Sequence, residues 1–117
     1  MMVSWIDWDR GGVTVIGLSG RIILGEGRTT LRDAIRQALD RGRNKIVLNF
    51  AEVKYIDSSG LGEVVRALAS VRSSGGQLKL SNVQAFTRGL LQVTRLDTVL
   101  EVLPDDESAV KSFSEPA

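Results

Sequence analysis

Residues 45–62, KIVLNFAEVKYIDSSGLG, decide the fold. Ile46-Val47-Leu48 is a short apolar run, β-branched at its start, and Phe50 follows after Asn49. Such a run predicts a buried strand. Glu52-Val53-Lys54-Tyr55-Ile56 reads as a polar break, and Asp57-Ser58-Ser59-Gly60-Leu61-Gly62 as a small-residue turn. Beyond the turn, Leu61, Val64, Val65, Leu68 and Val71 recur at helical spacing. A strand, a turn and an amphipathic helix therefore meet at two serines, which are the candidate working part of the protein.

The chemistry of that junction follows from the helix start. The first N–H groups of a helix have no partner within it, and Asp and Ser are among the best residues for satisfying them. Asp57 and Ser58 are both candidate N-caps. Gly60 and Gly62 each cost about 1 kcal/mol in helix propensity. Two glycines in one helix start suggest that something approaches closely there. A plain capped strand-to-helix turn is the simpler alternative.

Working outward, Leu31, Ala34, Ile35, Ala38 and Leu39 form an i, i+3, i+4, i+7, i+8 stripe. Thr30 with Asp33 resembles a capping box at its start, Gly42 ends it, and the intervening charges face water. Upstream, residues 3–9 read as an edge or half-buried strand with Trp5 and Trp8 on opposite faces. Arg10-Gly11-Gly12 supplies a tight turn into a second strand carrying Val13, Val15, Ile16 and Leu18. Gly20 is expected to break that strand, with Arg21-Ile22-Ile23-Leu24 adding a short apolar piece.

Downstream, the central helix closes at Ser73-Ser74-Gly75-Gly76, and Leu78 and Leu80 alternate with Lys79 in another strand. Ser81 or Asn82 is expected to cap a third helix buried through Val83, Phe86, Leu90 and Val93. Leu96 and the run from Val99 to Leu103 predict a last strand. Pro104-Asp105-Asp106-Glu107 opens a final helix with Val110 and Phe113 turned inward, and the tail from Ser114 is expected to fray. The order ββαβαβαβα predicts βαβ units with right-handed crossovers and largely parallel later strands. The expected core includes Ile35, Leu48, Leu61, Leu68 and Leu80.

At 117 residues the chain is read as one domain, 1–117, with a core of about 3–113. A net charge of +1 gives no reason to expect a nucleic-acid partner. Without cysteine or histidine the chain lacks disulfides, thiolate or imidazole metal ligands, and Ser-His-Asp or Cys-His catalysis. No cofactor or metal is expected. A Ser-Lys dyad using Lys45, Lys54 or Lys79 stays formally open, but no spacing favours it, and the chain is read as a non-enzyme. No apolar run reaches membrane-spanning length and no signal-peptide pattern is present, so a cytoplasmic, monomeric protein is the expectation.

Val47-Leu48-Asn49-Phe50 followed by Tyr55-Ile56-Asp57-Ser58-Ser59-Gly60-Leu61-Gly62 resembles the signature of STAS domains. The subgroup it resembles most is the stand-alone bacterial anti-sigma-factor antagonists. Gly20, Gly75-Gly76 before Leu78-Lys79-Leu80, and Leu96-Asp97 are further matches, and the resemblance covers residues 5 to 113. It implies an α/β fold with a mixed four- to five-stranded sheet and about four helices mainly on one face.

The resemblance also implies a mechanism. In that family the serine directly after the Asp is phosphorylated, which here is Ser58, and Asp57, Ser58, Ser59, Gly60, Leu61 and Gly62 would meet the partner. That partner is an anti-sigma factor of the GHKL type, itself a serine kinase that holds ATP. The unphosphorylated antagonist binds it and frees the sigma factor, and a phosphatase resets the antagonist. One departure bears on partner identity. After Gly20 the family often carries a Leu-Asp pair, and here Arg21-Ile22-Ile23-Leu24-Gly25-Glu26-Gly27-Arg28 stands in its place. A scaffold module in a larger signalling assembly, or a transporter-associated subunit, is the alternative reading.

Overall fold

A computed structural model describes residues 4–23 and 28–114. Five strands and four helices alternate in chain order: β1 (Ser4–Arg10), β2 (Val13–Ile22), α1 (Arg28–Asp40), β3 (Lys45–Ile56), α2 (Ser58–Ser73), β4 (Gln77–Ser81), α3 (Ala85–Val93), β5 (Glu101–Leu103) and α4 (Asp106–Ser112). A 3-10 turn, Leu96–Thr98, precedes β5. The strands lie in the order β1-β2-β3-β4-β5, with β1 antiparallel to β2 and all later pairs parallel.

The hairpin between β1 and β2 needs only Gly11 and Gly12, both at positive φ (57° and 85°). That geometry matches the right-handed twist of the strands it joins. Parallel strands then demand helical crossovers. The apolar stripe of α1 packs as expected, with Leu31, Ala34, Ile35 and Ala38 buried. The helix closes on Gly42, and the Arg43 N–H reaches back to the Ala38 carbonyl at 2.9 Å. Arg41 and Arg43 then pair with Asp7 and Asp9 of β1, tying the end of α1 to the edge strand.

The helices α1, α2 and α3 cover one face over a core of Ile16, Leu18, Ile46, Leu48, Phe50, Leu61, Leu80 and Leu91. Among the described residues the other face carries α4 alone, packed on Val13, Val15 and Val47. Asp105 caps α4 by accepting from the Ser108 N–H at 2.8 Å. That bond, then the Ser108 hydroxyl, and more weakly Arg10, hold the Asp105 carboxyl below the usual carboxylate range. Asp106 beside it accepts from Asn49 at 2.9 Å and from the Ser81 hydroxyl at 2.6 Å, which anchors the start of α4 to β3 and β4.

The five residues expected in the core are all buried, Leu68 least so at 5% exposed. Its position at the rim predicts a cost for Leu68→Ala of about 2 kcal/mol, the low end for a truncated core leucine. Urea denaturation checks this, and a loss below about 0.5 kcal/mol would mean that this helix face is not held in the core.

Four expectations need correction. Gly20 does not break β2; it sits at φ 106° inside the strand and pairs with Val53. Glu52 to Ile56 is not a break either, because β3 continues through it against the end of β2. Between Gly17↔Asn49 and Ser19↔Glu52, and again between Gly20↔Val53 and Arg21↔Tyr55, β3 advances one residue more than β2. Each extra residue is a bulge that shifts the side-chain phase. Phe50, Val53 and Ile56 consequently all turn inward at a spacing of three.

The helix α1 begins at Arg28, two residues before the proposed cap at Thr30. The third helix starts at Ala85 after Gln84, not after Ser81 or Asn82. Ser81 is the last residue of β4, with its hydroxyl committed to Asp106, and Asn82 makes the turn at φ 56°. This later start rotates the buried face to Thr87 and Leu91, leaving Phe86 58% and Val93 83% exposed. Leu24–Gly27 and Glu115–Ala117, which enter the readings of the 21–28 segment and the tail, lie outside the described residues.

Candidate functional site

The site forms where β3 ends and α2 begins. Asp57 is the N-cap, in extended conformation (φ −103°, ψ −177°), and its Oδ1 accepts from the Gly60 N–H at 2.8 Å. This decides between the two candidate caps. The Asp57 N–H donates to the Ile22 carbonyl at 3.3 Å, and its own carbonyl receives the Leu61 N–H at 2.9 Å. One residue thus joins the end of β2, the end of β3 and the first turn of α2.

Ser58 is the first residue of α2 and is exposed, while Ser59 is half-buried. Among the described residues neither hydroxyl has a hydrogen-bond partner. The two serines therefore differ in exposure alone. Gly62 is also exposed, and a Cβ added there would meet nothing within 4 Å.

Gly60 is different. A Cβ on it would stand 2.2 Å from the Ile22 carbonyl oxygen and 2.8 Å from Ile56 Cγ1. The close approach read from the two glycines is real at Gly60, but it comes from the chain itself. Leu61 is 2% exposed and belongs to the core. Of the six residues read as partner-facing, Ser58 and Gly62 are exposed, Asp57 and Ser59 are half-buried, and Gly60 and Leu61 lie beneath as the support.

Two features escaped the sequence reading. Glu63 faces inward with a side chain only 5% exposed, gripped by Arg32 of α1 at 2.8 Å and by Arg66 at 3.4 Å. It fixes α2 against α1 five residues after Ser58, and its place on the stripe Gly60, Val64, Ala67 was the available signal. Tyr55 and Phe86 stack at 5.2 Å between ring centroids, both substantially exposed, just before the site in sequence and across from it on α3.

The lysines that kept a Ser-Lys dyad open are occupied elsewhere or distant. Lys79 is buried on the α4 face, 2.7 Å from the Ser112 hydroxyl and 3.5 Å from Glu101. Lys45 begins β3, at its far end from Ser58, and Lys54 reaches Glu52 at 3.9 Å. Among the described residues no group of three or more carboxylates is placed to hold a metal ion. No described helix is long and apolar enough to cross a membrane.

With this geometry in view, the chain can be set beside known proteins. A family model described as "Mlab, STAS domain" matches residues 8–104. The chain belongs to the STAS domain family. A relative from Thermotoga maritima is 38% identical over 64 residues, 55% of this chain and 57% of the relative. The anti-sigma-B factor antagonist of Bacillus subtilis is 33% identical over 60 residues, 51% of this chain and 55% of that one. These matches span little more than half the length of those relatives.

Solved STAS structures agree over more of the chain. An anti-sigma factor antagonist from Mycobacterium paratuberculosis superposes with a TM-score of 0.83 at 20% identity, covering 97% of this chain and 95% of that one. SpoIIAA in its unphosphorylated form gives a TM-score of 0.69 at 20% identity, covering 94% and 96%. At such identities the likeness establishes the fold. The observed five-stranded mixed sheet with three helices on one face and α4 on the other is that STAS fold.

Proposed function

We propose that this STAS domain is an anti-sigma-factor antagonist switched by phosphorylation of Ser58. It binds a GHKL-type anti-sigma factor kinase through the start of α2 and thereby frees the sigma factor. The observation that carries the reading is the exposed, unbonded Ser58 hydroxyl on a rigid, Asp57-capped first turn. A kinase substrate needs no base of its own, only a hydroxyl that another active site can reach. The kinase transfers the γ-phosphoryl group of ATP to Ser58 Oγ, ADP leaves, and the hydroxyl proton passes to a base of the kinase. A phosphatase reverses the modification by hydrolysis.

In this reading Ser58 and Gly62 meet the partner directly, with Asp57 and Ser59 at the edge of the contact. Gly60 and Leu61 shape the surface from below. Residues 1–117 act as one domain with a core of about 3–113. The relatives named anti-sigma factor antagonists support the assignment, and SpoIIAA, whose structure is also known in a phosphorylated form at 22% identity, supports the chemistry. The fold likeness to a sulfate transporter family protein from Wolinella succinogenes (TM-score 0.70, 21% identity, covering 90% of this chain and 87% of that one) supports the second reading, a scaffold or transporter-associated module.

Incubation with ATP and the purified kinase separates the two. An antagonist gains one phosphate, located on Ser58 by tandem mass spectrometry; Ser58→Ala loses it and Ser59→Ala keeps most of it. Phosphate found mainly on Ser59 or Ser19 would overturn the site. No phosphate at all, with the kinase active on another substrate, favours the scaffold.

A further inference from the structure

The face of the sheet that carries α4 holds a second candidate site, at the opposite end of β3 from Ser58. Arg10 at the end of β1, Lys45 at the start of β3 and Lys111 in the last turn of α4 line one cavity of about 300 Å³. The strand pairings explain the convergence. Arg10 is paired with Val13, and Val13 shares this face with Val47, one strand alternation from Lys45. All three cations are exposed, and among the described residues none makes an ion pair or a side-chain hydrogen bond. Arg10's charge is felt at a distance by Asp105, and among the described residues Glu107 is the one carboxylate in the lining.

Three like charges around one concavity repel each other and raise the local concentration of anions. Much of the remaining wall is apolar. Val13 is buried, and Val110 and Phe113 are half-buried. Below this wall the buried ammonium of Lys79 lies 4.5 Å from the centre of the Phe113 ring, so the floor is itself positively biased although Glu101 partly offsets it.

We propose that this cavity binds a phosphate group, held by Arg10, Lys45 and Lys111. Its source is either free phosphate or a small phosphomonoester whose carbon portion rests on Phe113. A guanidinium and two ammonium groups suit a phosphate better than a carboxylate, because together they can donate to three oxygens at once. The site is independent of Ser58, and it would tie the hairpin, β3 and α4 together when filled. Whatever binds the folded chain there stabilises it by mass action.

The test is calorimetric titration of the intact chain with inorganic phosphate and, separately, with glycerol 3-phosphate, at an ionic strength held constant with chloride. Saturable binding at one site per chain is expected. Lys45→Gln with Lys111→Gln should weaken it about a hundredfold or more, the loss expected from giving up two charge-assisted hydrogen bonds. Ser58→Ala and Arg88→Gln, an exposed cation on α3, should leave it unchanged. Tighter binding of glycerol 3-phosphate assigns the site to phosphomonoesters, and equal binding assigns it to the phosphate group alone. No saturable heat with either probe would overturn the proposal. So would equal affinity in the double variant, provided urea denaturation shows that variant folded, which the exposure of both lysines predicts.

Discussion

Phosphorylation of Ser58 is expected to weaken binding of the anti-sigma factor about a hundredfold, while fold stability changes by less than about 1 kcal/mol. The two halves of this result have separate causes. Within the chain, a phosphoserine of charge about −2 would occupy the first position of α2, at the positive end of the helix dipole. That field favours it by about 0.3–1 kcal/mol, and repulsion from the adjacent Asp57 carboxylate opposes it. Asp57 also keeps its bond to the Gly60 N–H, so the cap survives modification.

At the interface the charge is expected to count in full against binding when the partner brings no cation to Ser58. A partner packed over Ser58 and the open surface at Gly62 would have to strip water from a dianion. Leaving a charged group desolvated and unpaired costs about 3 kcal/mol, which is roughly the hundredfold. Urea denaturation and calorimetric titration of both forms make the comparison. Phosphorylated protein that binds as tightly as before, or that loses several kcal/mol of stability, would sink this mechanism.

Gly60→Val should cost at least about 3 kcal/mol, the upper end for overfilling a packed site. Neither atom facing the new side chain is free to retreat. The Ile22 carbonyl already accepts the Asp57 N–H, and Ile56 is completely buried. The first turn of α2 must therefore lift away from β2, and Ser58 moves with it. By contrast Gly62→Ala meets open space inside α2 and should raise stability by up to about 1 kcal/mol through helix propensity, any change in partner binding being a contact effect. Equal stability losses in the two variants would refute the distinction between the supporting glycine and the exposed one.

The parts of the fold legible in the sequence were those where one simple period holds. The stripe of α1, the apolar start of β3, the Gly-Gly hairpin and the Asp-Ser-Ser-Gly turn each obey a local rule, and each sits where that rule puts it. Reading failed where two elements share the decision. The spacing Phe50–Val53–Ile56 fits neither a strand nor a helix until the bulges against β2 are known. Ser81 looks like a helix cap but spends its hydroxyl on Asp106, 25 residues away. Phe86 and Val93 match a buried face only if α3 is capped two or three residues too early. At the site, the sequence marked the serine, whereas the role of Gly60 depended on a carbonyl from a different strand.

The matched STAS stretch stops at residue 104, yet α4 begins at Asp106. The matched sequence stretch therefore ends one helix short of the folded unit, which the superposed structures cover almost in full. A chain cut at 104 would bare Val13, Val15 and Val47 to water and strip Lys79 of Ser112 and the Phe113 ring. It would also take from Asn49 and Ser81 the carboxylate that accepts their hydrogen bonds. In energetic terms α4 is the lid that makes the second face of the sheet habitable for a buried lysine.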